Sequence, residues 1–178
     1  MRVIAGEFRS RRLKSIPGLE TRPTPDRLRE TLFDVLAPRI QAAIFLDAYA
    51  GTGAVGIEAL SRGARRCVFV EKNRGAAAVI HENLAALGLE NRAQVFTSKA
   101  APVLERVKAD IVFLDPPYEL DKEYEGALAL LGAVSSGSTL VIAQHATRRA
   151  LPEQAGALRR YRVLKQGNNS LSFYSISA

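Results

Sequence analysis

The sequence predicts an α/β protein with a mainly parallel sheet that carries helices on both faces. Short apolar strands alternate with helices between residues 44 and 143. The strands are apolar throughout rather than alternating, which is typical of parallel strands covered on both sides. The tail holds two further strand-like runs around Gly167, Asn168 and Asn169, a turn composition that favours a closing antiparallel hairpin.

Local signals place the individual elements. Thr24 is the expected N-cap of the first helix, with Pro25 in the first turn and Pro38 near the helix end. The remaining helices are expected at 54–62, 73–87, 99–107 and 122–134. The strands are expected at 44–46, 67–70, 93–97, 110–114, 138–143, 160–165 and 170–177.

The first residues suggest a small addition to this core. Residues 2–14 alternate loosely, with Gly6 near a turn, and predict a hairpin. We therefore divide the chain into an N-terminal extension of hairpin plus helix, residues 1–39, and a main domain, residues 40–178. A length of 178 residues suits one domain with such an addition.

Composition narrows the class of protein. The chain is 47% hydrophobic and has no apolar run of about 18 residues, so we expect no membrane span. The N-terminus lacks the apolar region of a secretory signal, and the single Cys67 suits a reducing cytoplasm. With Cys67, His81 and His145 as its only cysteine and histidines, the sequence shows no metal-ligand cluster. We expect a cytoplasmic monomer without metal.

Positive charge is concentrated at the two ends of the chain. Residues 1–30 carry a net charge of +4 and residues 145–178 a net charge of +5, whereas residues 31–144 carry −2. If the ends meet, they form one basic face suited to a phosphate backbone. Solubilising surface charge is the alternative, and charge alone does not separate the two.

A glycine-rich segment follows the first predicted strand. Gly51, Gly53 and Gly56 stand between that strand and a helix, where the backbone of an α/β protein approaches ligands. Their spacing also satisfies the dinucleotide pattern, so a nicotinamide dehydrogenase is a rival interpretation. Asp47 favours a cationic ligand over a pyrophosphate, and S-adenosylmethionine, with its ammonium and sulfonium, fits. Helix capping is the alternative role for Asp47.

An acidic residue ends the second strand. Glu71 can accept hydrogen bonds from both hydroxyls of a ribose, which supports a nucleoside ligand without choosing one. Lys72 and Asn73 follow it, and a simple surface turn is the alternative.

The most informative segment is Asp115-Pro116-Pro117-Tyr118, directly after the fourth strand. Two prolines remove two backbone donors and stiffen the loop, leaving the Pro116 carbonyl and the Asp115 carboxylate as acceptors. Tyr118 offers a flat face for stacking on a base, which must be unstacked if it lies in a duplex. Together they suit the exocyclic amino group of a base, presented to a methyl donor.

These motifs resemble amino-group methyltransferases of the Rossmann-like, S-adenosylmethionine-dependent class. The stretches 2–6, 22–33, 47–60, 69–72 and 167–174 are similar to the RsmD family, which methylates the N2 amine of a guanine in 16S ribosomal RNA. The resemblance implies that 16S rRNA is the partner, within a small subunit or an assembly intermediate. It implies cofactor contacts by Asp47, Tyr49, Gly51, Gly53, Glu71, Lys72, Ser98 and Asp115. With the basic N-terminus, it implies RNA contacts by Arg2, Arg9, Arg11, Arg12, Arg22, Thr24, Arg27 and Arg29.

The sequence departs from the family where the third strand ends. An acid usually follows there and meets the adenine amine, whereas this chain has Ser98, which can replace that hydrogen bond less strongly. Two alternatives share the motifs: an adenine-N6 or glutamine-amide acceptor, and an rRNA-binding assembly factor without turnover.

Overall fold

The computed structural model describes residues 1–17, 24–117 and 121–176. The five α-helices of these residues are α1 (Asp26–Ile40), α2 (Ala54–Ser61), α3 (Arg74–Leu87), α4 (Ala101–Leu104) and α5 (Asp121–Val134). The strands are β1 (Ile44–Asp47), β2 (Arg66–Val70), β3 (Ala93–Phe96), β4 (Ile111–Leu114), β5 (Leu140–Ala146), β6 (Gln154–Ala155), β7 (Leu158–Gln166) and β8 (Asn169–Ile176).

The strands of the described residues belong to one sheet in the order β3-β2-β1-β4-β5-β8-β7-β6. The first five in space are parallel, and β8 joins them antiparallel to β5. The turn at Gly167, where φ is +59°, joins β7 to β8 as an antiparallel hairpin. Strand order reverses between β1 and β4, and in such sheets ligands bind beyond the carboxyl ends of the strands at that point.

Two apolar clusters cover the two faces of the sheet. On one face, α1, α2 and α3 pack through Leu32, Ile57 and Ile80. On the other, α4 and α5 pack through Leu104 and Leu128. This arrangement confirms the expected α/β class, with its helices on both faces and its C-terminal antiparallel hairpin.

The first helix differs from its expected bounds at both ends. Pro25, not Thr24, is the N-cap residue, because the Thr24 hydroxyl donates to the Gln144 side chain instead of capping the helix. Pro38 lies inside α1, which continues to Ile40. A proline in the last turn removes a single helical hydrogen bond, so the helix tolerates it there. The structure also adds β6 and a 3-10 helix at Glu90–Arg92, which were not expected.

The N-terminal segment forms one antiparallel bridge, between Arg2 and Arg12, rather than a full hairpin ladder. It is held against α2 by Glu58, a fully buried carboxylate that accepts the N–H groups of Ile4 and Ala5 at 2.9 and 3.0 Å. A Cβ at Gly6 would lie 2.0 Å from the Ser61 carbonyl oxygen, so only glycine allows this approach. The division of the chain at residue 39 stays a prediction.

Candidate active site

A cavity of about 530 Å³ opens at the carboxyl ends of β1, β2, β4 and β5. Its size lies within the range of small-molecule and cofactor sites. Nearly all of the residues expected to bind a cofactor line this cavity; they are Asp47, Tyr49, Gly51, Glu71, Lys72, Ser98 and Asp115. Gly53 is the exception, because this N-cap residue of α2 is buried and faces the Ile57 and Ile80 side chains instead.

The loop from β1 to α2 is shaped by its glycines. Gly51 has a φ of +57°, and a Cβ placed there would meet no described atom within 4 Å, so bare backbone borders the cavity. Gly56 serves packing, because a Cβ there would lie 2.3 Å from the Phe69 ring and 2.7 Å from Cys67 Sγ. The third glycine of the pattern therefore lets α2 approach β2 closely.

Asp47 lies at the base of this loop and is 1% exposed. Its Oδ2 accepts the N–H of Gly56 at 3.0 Å, so it caps α2 while also lining the cavity. Burial raises the pKa of Asp47 to about 7, with the Gly56 hydrogen bond opposing the rise and the charge of Glu71 adding to it. The capping role considered from sequence and a ligand role are thus compatible.

Glu71 is fixed by two backbone donors. Its Oε2 accepts the Gly51 N–H at 2.8 Å, and its Oε1 accepts the Asn73 N–H at 2.8 Å. Each carboxylate oxygen keeps a further lone pair for a ligand hydroxyl. The side chain therefore ties the glycine loop to the end of β2 and stays available at the cavity wall.

Two further polar side chains, those of Ser98 and Tyr49, line the cavity. The Ser98 hydroxyl donates to the Lys99 carbonyl at 2.9 Å, which leaves its oxygen able to accept from an amine. The Tyr49 hydroxyl donates to Glu123 of α5 at 3.0 Å, and burial followed by the Glu123 charge raises the pKa of Tyr49.

The loop after β4 forms the opposite wall. Asp115, Pro116 and Pro117 all line the cavity, and Pro116 is buried. Burial raises the pKa of Asp115 to about 7, and the neighbouring charge of Asp47 adds to the rise. Tyr118, expected to stack on a base, lies outside the described residues.

The most deeply buried charged side chain of the cavity is acidic. Asp47 is buried, whereas the acids Asp115 and Glu71 and the basic Arg149 are half-buried. The exposed lining residues carry both signs, with Lys72, Lys99 and Arg148 alongside Glu123. A buried acid suits a ligand with cationic groups and disfavours a buried pyrophosphate. The charge distribution therefore favours S-adenosylmethionine over a nicotinamide dinucleotide.

The residues expected to contact RNA differ in their exposure to solvent. Exposed arginines are available for contact, and these are Arg2, Arg9, Arg11, Arg12 and Arg27. The expectation for Arg29 is wrong, because its side chain is fully buried and donates to the Arg2 carbonyl and to Asp26. Thr24 is 9% exposed and lines the cavity, and Arg22 lies outside the described residues.

The polar residues that end β5 were not predicted from the sequence. Gln144 and His145 are each 6% exposed and line the cavity. The His145 ring bonds the Ser172 hydroxyl at 2.8 Å, which gives it a structural partner. Arg149 lies over the Tyr124 ring, 5.2 Å from its centroid. The sequence did carry a signal for them, because these two polar residues directly follow the apolar strand expected at 138–143.

Neither a group of potential metal ligands nor a membrane-spanning helix is found in the described residues. Within them, no cluster of three or more His, Cys, Asp or Glu side chains is placed to hold a metal ion. No helix in the described ranges is long and apolar enough to cross a membrane.

The sheet order and the cavity define a class of protein, the S-adenosylmethionine-dependent methyltransferases. Among solved structures, a putative methyltransferase from Escherichia coli, yhhF, aligns with a TM-score of 0.88 at 32% identity, covering 100% of this chain and 98% of that one. A more distant putative methyltransferase, complexed with SAH, shares the fold with a TM-score of 0.68 at 13% identity, over 83% of this chain and 49% of that one.

The family model described as conserved hypothetical protein 95 matches residues 1–175, and the chain belongs to this family, the RsmD family of rRNA methyltransferases. A putative rRNA methyltransferase of Bacillus subtilis, YlbH, is 34% identical over 98% of both chains. Ribosomal RNA small subunit methyltransferase D of Escherichia coli is 45% identical over 66% of this chain and 60% of its own length.

Proposed function

We propose that this protein transfers a methyl group from S-adenosylmethionine to the exocyclic N2 amine of a guanine in small-subunit (16S) ribosomal RNA. One observation carries the proposal: the acceptors of the Asp115-Pro116 loop line the same cavity as Asp47, Gly51 and Glu71. The same cavity therefore offers acceptors for a cationic nucleoside and acceptors for an amino group. The names of the relatives support ribosomal RNA as the substrate.

The residues of the cavity fit the cofactor. Asp47 would balance the ammonium of its amino-acid end, Glu71 would accept from the ribose hydroxyls, and Ser98 would accept from the adenine amine. The open space beside Gly51 leaves room for close backbone approach. When bound, the cofactor supplies a methyl group activated by a sulfonium.

The loop after β4 orients the acceptor. The amine of guanine is conjugated with its ring and is a weak nucleophile, so position is the main contribution that the protein can make. Correct orientation contributes about 7–11 kcal/mol in favourable cases. The Asp115 carboxylate and the Pro116 carbonyl would accept the two N–H groups and aim the nitrogen lone pair. With a pKa of about 7, Asp115 is also able to take up the proton that the amine loses.

The RNA would approach the protein at the rim of the cavity. Met1, Thr24 and Pro25 of the N-terminal segment and Arg148, Arg149 and Asn169 of the C-terminal segment line one cavity. Segments from both ends of the chain therefore meet at this cavity, and Arg148 and Arg149 supply basic side chains suited to a phosphate backbone.

The test is identification of the modified nucleoside. Small ribosomal subunits from cells that lack this enzyme are incubated with the purified protein and labelled S-adenosylmethionine, and the RNA is digested to nucleosides. We expect N2-methylguanosine as the labelled product. Label in N6-methyladenosine or in ribosomal protein would contradict the proposed acceptor, and subunits that bind without labelling would favour the assembly-factor alternative.

A further inference from the structure

The end of β5 places one polar side chain beside the amine-binding loop. β4 and β5 are parallel neighbours, and Leu114 of β4 is in register with Ala143 of β5. β4 ends at Leu114 whereas β5 continues to Ala146, so Asp115, directly after β4, lies beside Gln144 of β5. Both line the cavity, so Gln144 faces the region that the proposed function assigns to the target base.

Gln144 is held in place from two sides. Its backbone carbonyl accepts the Tyr124 hydroxyl of α5 at 2.6 Å. Its side-chain oxygen accepts the Thr24 hydroxyl at 3.3 Å. The residue is 6% exposed, so it is more than nine-tenths buried. Such a side chain is oriented by the protein before any ligand arrives.

The amide nitrogen of Gln144 has donors to spare. Its Nε2 makes no hydrogen bond to any residue in the part of the chain that the structure describes. This nitrogen is not one of the buried side-chain atoms without a hydrogen-bond partner, which in the described residues are Arg29 Nε, Arg29 Nη1 and Arg149 Nη1, so it is reached from the cavity that Gln144 lines. A donor that faces a cavity is open to water and to a ligand that brings an acceptor to the same place.

We infer that Gln144 reads the O6 edge of the target base, donating from Nε2 to the guanine O6 while Asp115 and Pro116 hold N2. This inference rests on the proposed function and adds the group that recognises the base. Guanine presents an acceptor at position 6, whereas adenine and 2,6-diaminopurine present an amino group there. An NH2 donor facing an amino group leaves both unpaired, which is how a polar site rejects a near-isostere.

The experiment compares bases that differ at the position-6 edge and share the N2 amine. After the methylated nucleotide is mapped, subunits are assembled with rRNA carrying guanine or 2,6-diaminopurine at that position. The selectivity is the ratio of kcat/KM for the two substrates. It is measured for the wild type, Gln144→Met and Gln144→Glu. Gln94→Met, an exposed glutamine of β3 outside the cavity, is the matched control.

We expect the wild type and the Gln94 variant to prefer guanine by at least tenfold. Gln144→Met should bring the ratio to within about threefold, mainly through slower guanine methylation. Gln144→Glu should favour 2,6-diaminopurine, because a carboxylate accepts from its 6-amino group. Thr24→Val should lower the same ratio, because this substitution keeps Gln144 but removes the hydroxyl that orients its amide.

Two results overturn the inference while leaving the proposed function intact: a wild type that methylates both substrates equally, or Gln144 variants that keep the wild-type ratio. Retained preference in Gln144→Glu alone would also overturn it, because the side-chain oxygen and not the NH2 group would then be the reader. Absence of N2-methylguanosine with the wild type would instead contradict the proposed function itself. Cofactor affinity within twofold of wild type confirms that each variant is folded.

Discussion

At the scale of single residues, two carboxyl groups of the cavity stand out, those of the buried Asp47 and the half-buried Asp115. Asp47 and Asp115 both have a pKa of about 7, raised first by burial. Carboxyl groups with such pKa values cluster at functional sites, because burial without a permanent counter-charge is otherwise unfavourable. A cationic ligand would supply the missing charge to Asp47, and an amino group would supply hydrogen bonds to Asp115.

Replacing Asp115 by asparagine should separate binding from chemistry. Asparagine keeps the size of the side chain but removes its charge and its ability to take up a proton. We expect kcat to fall by about 10²–10³, the range found when one positioned hydrogen-bonding group is lost from an active site. The dissociation constant for S-adenosylmethionine, measured by calorimetry, should stay within about threefold. A large loss of cofactor affinity would contradict the role given to Asp115.

The pKa of Asp47 predicts how cofactor binding depends on pH. The ionised carboxylate attracts a cationic ligand, so affinity should be fully present above pH 7 and should fall as pH drops through 7. One titrating group limits the fall to about tenfold per pH unit. Calorimetric titrations between about pH 5.5 and 8 measure this. Asp47→Asn should bind more weakly at pH 8 with a flatter profile, whereas identical profiles would assign Asp47 to capping alone.

At the scale of elements, close contact between α2 and β2 fixes the glycine loop. Gly56 faces the Phe69 ring and Cys67 Sγ with no space for a methyl group. Both neighbours are fully buried, so neither can move into solvent. The position of α2, and with it the loop from Asp47 to Gly53, depends on this contact.

Gly56→Ala should therefore destabilise the fold, although alanine favours helix. Overpacking of a buried contact costs about 1–3 kcal/mol. Gly126→Ala is the matched control, because Gly126 lies in α5 and an alanine Cβ there would have no described atom within 4 Å. That change should stabilise by about 0.5–1 kcal/mol. Urea unfolding measures both, and equal effects of the two substitutions would show that α2 is free to shift.

Particular elements show what could be predicted from the sequence. Apolar strands and the Gly51 and Asp115 motifs were enough to place the sheet and the two halves of the cavity, because strand ends and turns are local features. Arg29 was expected to contact RNA from the family resemblance and the basic N-terminus, yet it lies four residues before Phe33 on the buried stripe of α1. Gln144 was missed because its importance arises from the β4–β5 register, which is a tertiary property.

At the scale of the whole molecule, exposed arginines lie at both edges of the sheet, but only one edge carries the cavity. The carboxyl edge carries the cavity mouth, where residues from both basic ends of the chain meet. The amino edge carries exposed arginines such as Arg66, at the start of β2. Because RNA attraction depends on local charge, the two edges should contribute differently to binding.

The salt dependence of RNA binding measures this difference. Each phosphate neutralised on a single strand contributes about −0.7 to the slope of log K against log salt, and about −0.9 on a duplex. Arg148→Gln and Arg27→Gln should each make the slope shallower by about one contact, because Arg148 is exposed in the cavity lining and Arg27 is exposed two residues after the cavity-lining Pro25. Arg66→Gln removes the same charge from the opposite edge and should leave the slope unchanged. If all three substitutions reduced the slope equally, net charge rather than its placement would govern binding, and the mouth would lose its assigned role as the RNA entrance.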